Sequence, residues 1–189
     1  MIEVLLKNSI FSQLKSFVFI SAIYSVIYFF NNWATSFLYL LPGAHLVHIP
    51  TGFKLLFVLI AGITGALAIG FVSFINLFFF MFVGNTAMSI ELAITGGLSP
   101  YLIYLYYKEK FEIQNDLSWI TRKRVINLGL VYALLNSGLI QLVLFWNGQT
   151  ENFSDGLIVT FIGDITGLYI VFLLIGITTK FIKQSKENE

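Results

Sequence analysis

Residues 51–106 read TGFKLLFVLIAGITGALAIGFVSFINLFFFMFVGNTAMSIELAITGGLSPYLIYLY, and Lys54 and Glu91 are the two charged side chains in the whole stretch. A helical chain of about 56 residues is about 84 Å long, close to three crossings of a hydrocarbon core about 30 Å thick. The stretch therefore reads as three packed membrane helices. Glycine-rich breaks near Gly70 to Ser73 and at Gly84-Asn85 predict spans over 51–70, 72–84 and 86–106, with a short middle helix. A division into two spans is the alternative.

Working outward, Phe17 to Phe30 is an unbroken apolar and aromatic run that extends back to about Leu14, so the first span is 14–30, closed by Asn31, Asn32 and Trp33. Residues 34–50, with Phe37 to Leu41 and then Pro42-Gly43, are too short and too broken to cross and read as an interfacial or re-entrant stretch. After 106, residues 107–124 form the one sizeable polar loop, carrying Lys108, Glu109, Lys110, Glu112, Asp116, Arg122, Lys123 and Arg124. Spans over 125–146 and 156–179 follow, separated by an acidic loop and succeeded by Lys180, Lys183 and Lys186. The expected architecture is an all-α, polytopic transmembrane helical bundle of about six spans, a single domain over 1–189.

Composition agrees, since 57% of the 189 residues are hydrophobic and 11% charged, where a soluble surface normally needs roughly a quarter. Lysine and arginine mark the cytoplasmic side of short loops. Placing both termini and the 107–124 loop inside gathers ten of the 11 basic residues there and leaves Lys54 near the outer face. That parity requires an even number of crossings and argues against two spans in 51–106. The N-terminal segment, with Glu3, Lys7 and Lys15 and no small-residue cleavage pattern, reads as part of a retained first helix.

The inventory also excludes chemistry. With no cysteine there is no disulfide, thiolate metal site or thiol nucleophile. No Ser, His and Asp set, glycine-rich phosphate loop or HExxH pattern is present, so neither an enzyme nor a cofactor is expected. His45 and His48 could share a helix face, but two histidines between Pro42 and Pro50 read as interfacial, and no metal site is predicted. Nucleic acid is not an expected partner of so apolar a chain. The run Phe78-Phe79-Phe80-Met81-Phe82 reads as lipid-facing bulk, and Trp33, Trp119 and Trp146 as interfacial anchors.

Ionisable side chains within spans need a cavity, a partner or a pathway. Glu91 lies about five residues below the outer end of its helix and Asp164 about eight below the outer end of the last, while Lys54 enters from the same side. With Asn85 they predict a polar, outward-open ligand pocket lined by Lys54, Asn85, Glu91 and Asp164, Lys54 being the countercharge. A buried Lys to carboxylate pair that only fixes packing is the competing reading, and snorkelling of Lys54 alone the third. Small residues mark helix contacts: Gly62, Ala66 and Gly70 on one face, Gly163 and Gly167 in the last helix, and Gly129, Ala133 and Ser137 in the fifth.

Pro50-Thr51-Gly52 before a glycine-rich helix, Gly84-Asn85 opening a middle helix and Gly163-Asp164-Ile165-Thr166-Gly167 in the last occur in an order and spacing that resemble the MASE1 family of bacterial integral membrane sensory modules. The resemblance covers nearly the whole chain. It implies a multi-pass protein of the bacterial inner membrane that senses or binds a small ligand from the outer side and passes the signal to a separate membrane or cytoplasmic partner. The chain is also similar, in length, helix number and outward pocket, to the S components of energy-coupling-factor transporters, where Gly62, Ala66 and Gly70 would dock a partner. A non-catalytic subunit of a larger membrane complex is a third class.

Overall fold

The computed structural model describes residues 2–41, 44–111 and 122–187. Pro42-Gly43 and the 112–121 part of the expected cytoplasmic loop, with Glu112, Asp116 and Trp119, lie outside the described residues. Among the described residues there are six α-helices: α1 (Ile2–Ala34), α2 (Ile49–Ala61), α3 (Ile63–Asn76), α4 (Thr86–Phe111), α5 (Arg122–Trp146) and α6 (Phe153–Glu187). α3 continues into a π-helical turn, Leu77–Met81. Between α1 and α2 lie a 3₁₀ turn (Ser36–Leu38) and two short antiparallel strands, β1 (Tyr39–Leu41) and β2 (Ala44–His45).

Among the described residues five stretches, 9–34, 63–81, 86–110, 123–146 and 153–178, are long and apolar enough to cross a bilayer. The protein is a membrane-spanning helical bundle. Its outer surface is apolar, as lipid requires: Phe19 and Val26 on α1, Leu134 and Leu142 on α5, and Ile158 and Tyr169 on α6 are all exposed. Trp33 and Trp146 stand exposed at the ends of α1 and α5, where interfacial anchors belong. Asn31, Thr51, Ser99, Asn136, Gln141 and Asp164 are turned inward and buried.

Inter-helix pairs fix the directions of the elements. Ser99 meets Asn136, and Asn136 meets Asp164, while Glu91 meets Asn147 and Gln141 meets Thr160. These pairs set α4 against α5 and α5 against α6 as antiparallel neighbours. Backbone atoms of Ala66 and Gly70 face Gly97, so α3 is antiparallel to α4. Consecutive helices alternate in direction. One end of the bundle carries the end of α1, the α3–α4 turn and the α5–α6 loop; the other carries the start of α1, the α4–α5 connection and the end of α6.

The expected division of 51–106 is corrected at its first break. The chain turns at Gly62, whose φ is 55°, and not near Gly70 to Ser73. An L side chain is strained in that conformation, and the next glycine, Gly65, lets α3 start against the Phe57 carbonyl of α2. Gly62 therefore belongs to a helical hairpin and not to a packing stripe, whereas Gly70 and Ala66 do pack closely, on α4.

The consequence for α2 is its length. Its 13 residues extend about 20 Å, two thirds of a hydrocarbon core. The described residues just before it, 44–48, lie against α6.

Candidate functional site

Non-helical backbone survives at membrane depth only where protein satisfies its polar groups, and here α6 and α1 do so. The His48 N–H donates to the Gly163 carbonyl (3.1 Å), Leu46 N–H to Leu38 (3.1 Å), and Ile49 N–H to the side-chain oxygen of the fully buried Asn31 (3.0 Å). Gly163 and Gly167 make the slot. A Cβ at Gly163 would collide with the His45 carbonyl, and one at Gly167 with the His48 carbonyl. These glycines, expected as packing residues, receive a loop and not a helix.

Gly163 lies ten residues below the start of α6 at Phe153, or about 15 Å. The start of α2 thus lies beside the middle of the apolar stretch 153–178 of α6. Between the two glycines Asp164, fully buried, faces it: Thr51, in the first turn of α2, donates to Asp164 Oδ1 at 2.5 Å, and His48 Nδ1 stands 3.5 Å from the same oxygen. Because the Thr51 hydroxyl donates its proton to the carboxylate, it accepts from His48 Nδ1 at 2.8 Å. Asn136 of α5 donates to Asp164 Oδ2 at 2.7 Å and accepts from Ser99 of α4 at 2.7 Å. The positive end of the α2 dipole adds to the stabilisation of a carboxylate placed there.

Lys54 is 5% exposed, one turn further along α2. It makes no ion pair with Asp164, whose near partners are Thr51, Asn136 and His48. Its amine instead lies 3.6 Å from where a Cβ on Gly96 would stand, beside Ser73, and lines a cavity of about 60 Å³. Tyr28, Asn32, His45, His48 and Ser73 supply the other polar walls; Leu77, Met81, Phe82, Leu92, Ile140 and Leu144 supply the apolar ones. Met81 closes the π-helical turn and Phe82 follows it, so part of the aromatic run faces the cavity and not lipid, whereas Phe79 and Phe80 are exposed. π-turns recur at functional sites because they re-aim side chains.

The four residues expected to share a pocket are therefore separated. Lys54 lines the cavity; Asp164 sits behind its wall, spent on hydrogen bonds. Asn85 is exposed and caps α4, accepting from the Met88 N–H at 3.2 Å, with Gly84 in a left-handed conformation (φ 78°) just before it. Glu91 is exposed and accepts from Asn147 at 2.8 Å. Neither lines the cavity. Sequence reasoning missed Asn31, Ser99 and Asn136, although Asn136, midway along the apolar run 125–146, was an available signal. His45 and His48 stack with ring centroids 6.2 Å apart, and no cluster of three metal-ligating side chains occurs among the described residues.

Compared with protein-family models, curated proteins and solved structures, this chain matches none. Function must be argued from the site itself.

Proposed function

We propose that this protein is an integral membrane receptor module that binds a small anionic group from the outer side of the membrane through Lys54 and passes the occupied state to a separate partner protein. The carrying observation is the Lys54 amine, buried in a cavity of about 60 Å³ with no ion pair among the described residues. A buried cation is costly unless a counterion meets it. The positive-inside distribution of lysine and arginine puts the end with the α3–α4 turn outside, and the cavity's Asn32, Met81 and Phe82 lie toward that end.

Size narrows the ligand. About 60 Å³ accommodates a few water molecules or a carboxylate-sized group, well below the roughly 300 Å³ at which drug-sized ligands begin to be enclosed. That favours a sensory module similar to the MASE1 family over a vitamin-capturing S component. The contact between Pro50-Thr51-Gly52 and Gly163-Asp164-Ile165-Thr166-Gly167, two of the motifs behind that resemblance, adds support: Thr51 bonds Asp164, and Gly52 lies against Val171 and the Gly167 carbonyl. One observation favours uptake instead, since helices broken at the midplane commonly build transporter sites.

The test is stabilisation of the purified protein by small carboxylates and inorganic anions. At least one should raise the melting temperature of wild type, and Lys54→Met should melt normally without responding. A Lys54→Met protein that responds like wild type would sink the proposal. Affinity purification from native membranes separates the classes: a kinase or cyclase for a sensor, an ATPase pair with a membrane coupling subunit for uptake, a stoichiometric assembly for a structural subunit.

A further inference from the structure

His48 shares the wall of the Lys54 cavity, and its side chain is 19% exposed. The two ring nitrogens do different work. Nδ1 lies 2.8 Å from the Thr51 hydroxyl and 3.5 Å from Asp164 Oδ1. Since Thr51 gives its own proton to Asp164, the neutral ring must carry its proton on Nδ1 and leave a lone pair on Nε2. Nε2 is the nitrogen turned away from Thr51 and Asp164, and it makes no hydrogen bond among the described residues. The exposed part of the ring therefore presents an acceptor to the cavity.

A neutral His48 opposes an anion held by Lys54, and the charge balance of the site works in the same direction. Lys54 and Asp164 feel each other's charge without touching, so a monoanion entering the cavity leaves a negative charge uncompensated in surroundings that solvate it poorly. A proton on Nε2 removes both obstacles, because it restores the balance and turns a lone pair into a donor aimed at the ligand. Asp164 holds the resulting imidazolium from its other side. The titratable groups facing His48 are Tyr28 of α1, edge-on at 6.5 Å, His45, stacked at 6.2 Å, Lys54 of α2 and Asp164 of α6. α3, α4 and α5 bring no charged side chain to the cavity wall. We propose that His48 is a second ligand-binding residue of this site, and that a small anion enters it together with a proton taken up from the outer solvent onto Nε2. This rests on the reading of Lys54 as the anchor of the anion. The ligand class is then a small acid, bound as its anion on Lys54 and its proton on His48.

The experiment titrates the purified full chain in detergent micelles with sodium formate and with sodium nitrate, anions that stay unprotonated between about pH 6 and 8. Melting temperature gives the affinity at each pH, and calorimetry in two buffers of unlike ionisation heat counts the protons exchanged. Wild type should take up about one proton per anion at about pH 8, and bind about tenfold tighter for each pH unit lowered while His48 of the empty site is neutral. His48→Asn, whose amide can still donate to Thr51 from the place of Nδ1, should bind with no proton uptake and with an affinity that does not change with pH. If that variant fails to fold, His48→Gln takes its place with the same expectation. Anion binding to wild type without proton uptake overturns the inference and leaves the Lys54 reading standing. Uptake that persists in the His48 variant also overturns it, by placing the proton elsewhere. Absence of binding by either anion at any pH sinks both readings.

Discussion

Thr51, in the first turn of α2, and Asp164, in the middle of α6, are joined by a 2.5 Å hydrogen bond across 113 positions of sequence. It ties the start of the short helix α2 to the middle of α6, where the segment that precedes α2 ends. The carboxylate is fully buried and also serves His48 and Asn136, so it is a structural hub before it is anything else.

Removing that hub should be costly. Asp164→Ala leaves the Thr51, His48 and Asn136 donors buried without an acceptor, and a loss of about 2–4 kcal/mol is expected. Asp164→Asn should cost about 1 kcal/mol, because its oxygen can still accept from Thr51. Asn136 can rotate its amide to meet the new NH₂, since the Ser99 hydroxyl accepts as readily as it donates. Reversible unfolding in mixed micelles measures both, and equal losses for the two variants would show that the hydrogen-bond ledger is wrong.

The glycine slot makes a sharper prediction. Gly163→Ala and Gly167→Ala each drive a methyl into a main-chain carbonyl of the segment that precedes α2, where neither backbone can yield cheaply, and about 2–4 kcal/mol or failure to accumulate is expected. Gly138→Ala and Gly176→Ala add the same methyl where nothing lies within 4 Å, and should fall within about 0.5 kcal/mol of wild type. Expression level and melting temperature across the four variants decide it.

How much of this was legible in the sequence depends on what kind of signal each feature leaves. Long apolar runs and the charges between them carry the number of helices, since lipid leaves few alternatives. The break at Gly62 was hidden because the same residue fits a four-residue glycine and alanine spacing, and a periodic stripe looks like a continuous helix. Lys54 and Asp164 stood out as charges, but charge alone suggested pairing them. The true partners of Asp164 are Thr51 and Asn136, neutral side chains whose roles depend on helix directions that spacing does not give. Asn85 shows the converse: a conspicuous polar residue whose work is local, at the start of α4.

Orientation has a direct test, because the chain has no cysteine and every introduced thiol is read without background. The positive-inside rule places the α5–α6 loop outside and the start of α5 inside. In intact cells Asn152→Cys should react with a membrane-impermeant maleimide, whereas Lys123→Cys should react only after permeabilisation. Both native side chains are exposed, so accessibility to reagent is not limited by the fold. The reverse pattern would place the Lys54 cavity on the cytoplasmic side.

Lys54 should behave oppositely to Asp164 in stability. Its amine is buried with no ion pair among the described residues, and replacing a buried charge by an apolar chain of similar length is commonly neutral or stabilising by about 1–4 kcal/mol. Lys54→Met should therefore melt at or above the wild-type temperature in the absence of added anion. A group whose removal stabilises the fold is not held there by packing, which is the expectation for a binding residue and not for a structural one. If Lys54→Met instead loses about 2 kcal/mol or more, of the order expected for breaking a structural ion pair, the amine is part of the scaffold and the cavity loses its reason to bind an anion.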